Sequence, residues 1–316
     1  MQIKTSVIIP TYNAEAYLPR LLEKLKAQTA AFELIIIDSS SSDKTLEIAQ
    51  RYTDHIITIP QSEFDHGGTR TKAAKSASGE VIVFLTQDAL PIDDHTIEKI
   101  VTLFSAPEIG AAYGRQIPYP DTSIFGKHLR NFNYPETSHM RHYQDREKYG
   151  IKTVFLSDSF AAYRREALEK IDWIKDGLIS SEDSYAGAKM LLAGYTLAYA
   201  ADAQVFHSHS YTLLQEFKRY FDIGVFYSTQ SWILETFGTA EGEGGKYIKS
   251  ELNFLFRQHA FLRLPEFFAR NVMKYLGYKL GQNYHHLPEN LITKLSMHPS
   301  WWAKQSTRLN GFLAKI

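Results

Sequence analysis

The 316 residues are 44% hydrophobic and 22% charged with a formal net charge of zero, an ordinary globular balance that excludes a disordered chain. Cysteine is absent, which excludes disulfide scaffolds, Cys-ligated zinc and thiol nucleophiles and fits a reducing compartment. Charge is uneven along the chain: from residue 211 onward 13 Lys and Arg stand against 8 Asp and Glu, so an acidic first part precedes a basic, aromatic-rich tail.

At the N-terminus the apolar run Val7-Ile8-Ile9 is far shorter than a signal-peptide core and ends at Pro10. Nowhere do about 18 apolar residues run uncharged, so no spanning helix is expected. The expected location is the cytoplasm, with peripheral attachment at the cytoplasmic face of the inner membrane left open.

Taken in chain order, Ser6–Ile9 reads as a buried strand. Residues 15–28 read as a helix with Leu18, Leu21, Leu22 and Leu25 at helical spacing. Glu33–Asp38 is a second strand, followed by a polar turn over Ser39–Ser42 and a helix over Lys44–Tyr52. His55–Ile59 is a short third strand, and Thr69–Ser76 a helix stopping near Gly79. Val81–Leu85 is apolar throughout, as a central parallel strand should be. This alternation predicts an α/β fold with a doubly wound, mostly parallel sheet. Ligands bind such sheets beyond the carboxyl ends of the strands, which gathers Thr11, Tyr12, Asn13, Asp38 and the segment Thr86–Ala89 around one crevice.

Prolines, glycines and aromatics over residues 113–155 suggest a loop-rich substrate region. Helices follow from residue 166 to 171 and from Tyr185 to Leu192, with strand segments Leu197–Ala200 and Asp202–Val205. Beyond Ser210 the chain reads as helical, interrupted at Gly238–Gly245 and resuming to about Tyr284. A boundary is therefore expected between a doubly wound α/β domain over 1–210 and a helical region over 211–316.

The succession SVIIPTYNAE, IIIDSSSSDKT and VIVFLTQDALP, then FDHGGTR, YRREAL, SSEDSYAGAKMLLAGY and VFHSHSYTLLQEFKRYFDIG, resembles the ordered motifs of the family 2 inverting glycosyltransferases of GT-A fold. The later four motifs are most similar to those of bacterial rhamnosyltransferases. The resemblance spans roughly residues 1–230 and implies a nucleotide-diphosphate sugar donor, a glycan or lipid-linked acceptor hydroxyl, and Mg²⁺ or Mn²⁺. It implies no nucleic-acid partner. Transfer from a UDP-hexose, and a non-catalytic protein that merely binds nucleotide sugars, are the competing readings.

Each motif has a physical task under this resemblance. Asp38, framed by Thr11 and Tyr12, would accept from the imide N–H of a pyrimidine base; a helix cap for the Ser/Asp stretch is its plain alternative. Arg70 could pair with donor phosphates, hold an acidic residue of the site, or be a surface arginine in a turn. Gly67-Gly68 would let backbone approach closely. Gln87 and Asp88 occupy the Asp-x-Asp position of the family, with Thr86 replacing its first carboxylate. A metal would then need Asp88 and a histidine, His207 being favoured over His209. Asp183 beside Glu182 is the expected catalytic base, although both also suit the positive end of the following helix. Arg164 is expected near the diphosphate. Asp158 and the loop pair Asp65-His66 are candidates for the acceptor side. The aromatic and basic residues of the tail suit either an anionic membrane surface or packing, including packing against a second subunit.

Overall fold

The computed structural model describes residues 3–239 and 241–305. Two compact units emerge: one runs to Asp176 and resumes over Glu182–His209, and the other comprises Gly177–Ser181 and the chain from Ser210.

The first unit is built on one sheet. Its strands are β1 (Thr5–Thr11), β2 (Glu33–Asp38), β3 (Ile56–Thr58), β4 (Val81–Leu85), β5 (Leu90–Pro91), β6 (Ile109–Ile117), β7 (His139–Arg141), β8 (Phe160–Arg164) and β9 (Thr196–Phe206). Eight lie in the order β3-β2-β1-β4-β8-β6-β9-β5, with β7 paired to β9. The first four are mutually parallel. Then β8 inserts antiparallel between β4 and β6, while β6 and β9 run parallel to each other. The sheet is thus parallel in its first half and mixed in its second. The helices α1 (Leu18–Lys26), α2 (Thr45–Ala49), α3 (His66–Ser76), α4 (Thr96–Thr102), α5 (Ile124–Asn133), α6 (Arg146–Tyr149), α7 (Arg165–Lys170) and α8 (Glu182–Leu192) flank it. Burial explains the strands: all five side chains of β4 are inaccessible, and the leucine stripe of α1 packs into the same core as Val7, Ile9 and Val83.

Three expectations need correction. The stretch 113–155 is only partly loop: Tyr113 is buried in β6 and Phe125 in α5, whereas Tyr119, Tyr134 and Phe155 lie in the connections between elements. Helix α3 begins three residues early: Asp65 caps it, its side chain accepting from the Gly68 N–H at 2.7 Å, so both glycines are helical. A Cβ on Gly67 would lie 2.0 Å from the Lys175 carbonyl oxygen, so this glycine serves close packing against the 174–176 segment.

The second unit contains α9 (Leu213–Thr229), α10 (Ser231–Phe237), α11 (Glu241–Arg257), α12 (Leu264–Gln282) and α13 (Glu289–Leu295). Here lies the third correction: the expected break at Gly238–Gly245 closes by Glu241, and Gly242, Gly244 and Gly245 are in α11. A capping box of Thr212 and Gln215 starts α9. Close approach of α9 and α12 requires Gly281, whose Cβ would sit 2.0 Å from the Phe221 carbonyl. Phe217, Phe221, Phe226 and Phe267 are core residues, and Arg270 and Lys274 are buried beside Glu216, whereas Phe268 and Tyr275 stay exposed. No helix among the described residues is long and apolar enough to cross a membrane.

Candidate functional site

Parallel pairing sets Thr11 opposite Asp38 at the last rung of β1 and β2. Asp38 is fully buried; its Oδ1 accepts from the Thr11 hydroxyl at 2.8 Å and the Ser41 hydroxyl at 2.6 Å, and its Oδ2 from the Ser41 N–H at 2.8 Å. The carboxylate therefore shapes the Ser39–Ser42 turn. Asn13, at φ 46°, ties the same turn to β1: its N–H donates to Ser41 and its Oδ1 accepts from the Ser42 N–H. Exposed Tyr12 is fixed through its backbone, whose N–H donates to Gln87 Oε1 at 2.9 Å. Gln87 thereby joins the end of β1 to the end of β4.

Beside Gln87 the chain brings together three residues distant in sequence. The Asp88 carboxylate lies 3.4 Å from His207 Nε2 and 3.8 Å from His209 Nε2. One ligand atom from each falls within 4.8 Å of the others, a spacing that fits a divalent cation, and the donor set of one carboxylate and two imidazoles is of metal-binding type. Both histidines converge, so the sequence-level choice between them dissolves. Burial alone would raise the Asp88 carboxyl; the hydrogen bond and charge of His207, with His209 nearby, outweigh it and hold the group below the usual carboxylate range.

Sequence reasoning missed the residue behind His207. Gln116 Oε1 lies 2.8 Å from His207 Nδ1, and the Gln116 amide donates to Ser157 Oγ at 2.9 Å. With its NH₂ so engaged, Gln116 presents its oxygen, so His207 donates from Nδ1 and turns Nε2 toward Asp88. The cause is the parallel pairing of β6 and β9, which sets His207 beside Ile117. Also missed were Arg20 and Tyr119, which line a cavity of about 200 Å³ with Gln87 and Asp88.

A second cluster collects around Arg70. Its guanidinium is 3.4 Å from Asp158 Oδ2 and 3.2 Å from Glu182 Oε1, all nearly inaccessible. Tyr163 donates to Asp158 Oδ1 at 2.5 Å. His66 Nδ1 stands 4.0 Å from Glu182. Asp183 adjoins them in the first turn of α8, its Oδ2 facing the Asp158 N–H at 3.4 Å and its Oδ1 accepting from the Ser184 N–H at 2.6 Å. Burial, then the charges of Glu182 and Asp158, push the Asp183 carboxyl well above the usual carboxylate range; the Ser184 amide and Arg70 act against that. Asp158 is raised as well, first by burial and despite Arg70. One guanidinium thus faces the carboxyls of Asp158 and Glu182, with that of Asp183 close by. Of the alternatives for Arg70, the geometry is that of an arginine holding acidic residues.

Arg164 does not join either cluster, which corrects its expected place beside the diphosphate. It pairs with Val81 at the opposite edge of the sheet and donates to the carbonyls of Phe104, Ala106 and Ile109 at 2.8–3.0 Å. Arg165 likewise donates to Ala74, Ala77 and Gly79.

Comparison with known proteins shows what the chain is similar to. The sequence model of Glycosyl transferase family 2 matches residues 6–172. The O-antigen chain rhamnosyltransferase RfbN of Salmonella typhimurium is 45% identical over 303 residues, spanning 95% of this chain and 96% of that protein. WbaN of Salmonella anatum, another O-antigen chain rhamnosyltransferase, is 44% identical over 94% of this chain and 95% of its own. In fold, the chain is similar to the mannosyltransferase PcManGT of Pyrobaculum calidifontis, solved with GDP-Man and Mn²⁺, at a TM-score of 0.63 and 16% identity over 91% of this chain and 89% of that one.

Proposed function

The chain belongs to glycosyl transferase family 2, and we propose that it moves L-rhamnose from dTDP-L-rhamnose onto a hydroxyl of a growing cell-surface glycan, with inversion and with a divalent metal. The observation that carries the transferase chemistry is the meeting of Asp88, His207 and His209 beyond the strand ends. The donor sugar rests on the likeness to two O-antigen rhamnosyltransferases along nearly the whole chain.

In this reading Asp38 accepts from the imide N–H of thymine. Three of its roughly four acceptor directions are taken by Thr11 and Ser41, leaving one for the base. Tyr12 offers an exposed ring as a stacking face. Asp88, His207 and His209 would hold the cation, which would supply positive charge to the departing diphosphate. Two imidazole nitrogens in the set favour Mn²⁺ over Mg²⁺. Asp183 takes the proton of the acceptor hydroxyl as its oxygen bonds to the anomeric carbon; the bond from that carbon to the diphosphate oxygen breaks, and nucleoside diphosphate departs with the electron pair. The raised Asp183 carboxyl suits a base working near neutrality. Arg70 holds Asp158 and Glu182 in place beside Asp183, and its role is positioning.

The test is nucleotide release from a panel of dTDP- and UDP-sugars with Mn²⁺ or Mg²⁺ and a chelator control. Release from dTDP-L-rhamnose, faster with Mn²⁺ and abolished by chelation, is expected. Consumption of UDP-sugars alone would overturn the donor, and turnover indifferent to chelation would overturn the metal.

A further inference from the structure

Helix α12 carries its polarity the wrong way round. On its buried side Arg270 lies 3.1 Å from Glu216 and 2.7 Å from Glu266, and Lys274 lies 3.9 Å from both Glu216 and Glu251. On its outer side the six exposed positions are Pro265, Phe268, Val272, Tyr275, Leu276 and Leu280, with no charged residue among them. Steps of three and four residues align them in one stripe along the helix. A surface helix ordinarily turns such a stripe to the core and its charges to water. Here the charges satisfy one another inside the helical unit, and the stripe is left to be covered from outside.

The apolar face continues beyond the helix. Phe256 in α11 and Phe261 in the turn before α12 stand ring to ring at 5.6 Å, and Leu262 beside them is 96% exposed. Together these side chains present roughly 800 Å² of accessible surface. That exceeds the ~300–600 Å² of a typical monomer's largest patch and matches what each partner of a standard interface covers. Charge then decides between a bilayer and a protein as the cover. Helices held at an anionic bilayer turn Lys and Arg outward beside the apolar stripe. Of the four bases in or beside α12, Arg263, Arg270 and Lys274 are each held by a carboxylate. Most of the positive charge that a lipid surface selects is therefore neutralised within the chain.

We propose that a second copy of the chain covers this face, the two α12 helices crossing at Val272 about a two-fold axis. A two-fold contact must be self-complementary, so residues equally far on either side of its centre meet. Val272 lies near the middle of the stripe and is the small side chain between Phe268 and Leu276, each four residues away. Crossing there sets Phe268 of each copy beside Leu276 of the other, ridge into groove, as in the commonest class of helix packing. The small residue at the axis lets the backbones approach, and the larger ones close around it. Pairing of this kind does not depend on the transferase reading, and its test reads mass rather than turnover.

Sedimentation velocity on the full chain at micromolar concentration should give the mass of two chains. Val272→Glu and Val272→Lys each place like charges on the axis and should weaken pairing by about 100-fold, and an equimolar mixture of the two should restore it. Val272 is half exposed within the single chain, so neither variant disturbs its fold. Because the chain has no cysteine, disulfide trapping adds a geometric readout. Val272→Cys should cross-link into a dimer on mild oxidation, whereas Leu280→Cys, about 12 Å further along the helix, should not. A single-chain mass throughout, pairing untouched by the charged variants or not restored on mixing them, or equal cross-linking at 272 and 280 overturns the proposal. So does binding of the single chain to vesicles of anionic phospholipid that Phe268→Glu abolishes, which would make lipid the cover.

Discussion

The two edges of the sheet use arginine in opposite ways. At the edge where β1, β2 and β4 end, Arg70 meets Asp158 and Glu182 beside Asp183, and charge is left facing charge. At the other edge Arg164 and Arg165 spend their donors on six backbone carbonyls, closing the chain around the starts of β4 and β6. Along β8 the edges are only four residues apart, roughly 14 Å. An arginine in a motif therefore reveals little until its partners are known: carboxyl partners produce a tunable acid–base cluster, carbonyl partners a structural clamp. Asp183 is the residue on which the first behaviour has the most leverage.

The largest effect should come from removing that leverage. Asp183→Asn keeps the shape and one of the two accepting oxygens but cannot take a proton, and kcat should fall by about 10²–10⁴ with the donor KM nearly unchanged. In the unaltered protein the same group sets a pH dependence. Its carboxyl is raised, so it is protonated and inactive as a base at acid pH and gains activity as pH climbs; the acid limb of kcat/KM should lie well above the ordinary Asp value of about 4. A limb near 4, or an Asn variant of full activity, would remove Asp183 from the chemistry. Next in size is Gln116→Leu, which frees the ring of His207 and should weaken Mn²⁺ binding by about 10–100-fold. Metal titration followed by activity or by Mn²⁺ electron paramagnetic resonance measures this, and an unchanged affinity would make Gln116 a packing residue only.

Much of the edge where β1, β2 and β4 end was legible because its signals are local. Val7–Ile9, Leu34–Ile37 and Val81–Leu85 are apolar runs that stop at polar residues, so strand ends and their cargo of Thr11, Asp38 and Asp88 follow from periodicity and parallel winding. The alternate histidines at 207 and 209 were singled out by the resemblance of their motif and by their place just after a strand. What escaped was set by distant pairing. No local period reveals that β8 enters antiparallel between β4 and β6, and that pairing carries Arg164 away from the site. Gln116 is one polar residue near the end of a strand until β9 lies beside it. Three glycines looked like a break in the tail, but helix α11 runs through them with nothing within 4 Å of their missing side chains.

Arg164→Met supplies the smallest catalytic effect and the sharpest contrast with Asp183. Methionine keeps an aliphatic side chain but removes the guanidinium that lies over the Phe104 ring and every donor, leaving the carbonyls of Phe104, Ala106 and Ile109 without this partner. Stability should drop by about 1–3 kcal/mol, the cost of leaving partly buried acceptors unmet. Because the guanidinium lies an edge away from Asp88, the donor KM and the Mn²⁺ dependence should stay within about 2-fold, since a lost contact worth even 1 kcal/mol would change affinity about 5-fold. Thermal melting together with donor titration separates the two behaviours. A raised donor KM at unchanged melting temperature would mean that Arg164 reaches the diphosphate after all, and the division of labour between the two edges would collapse.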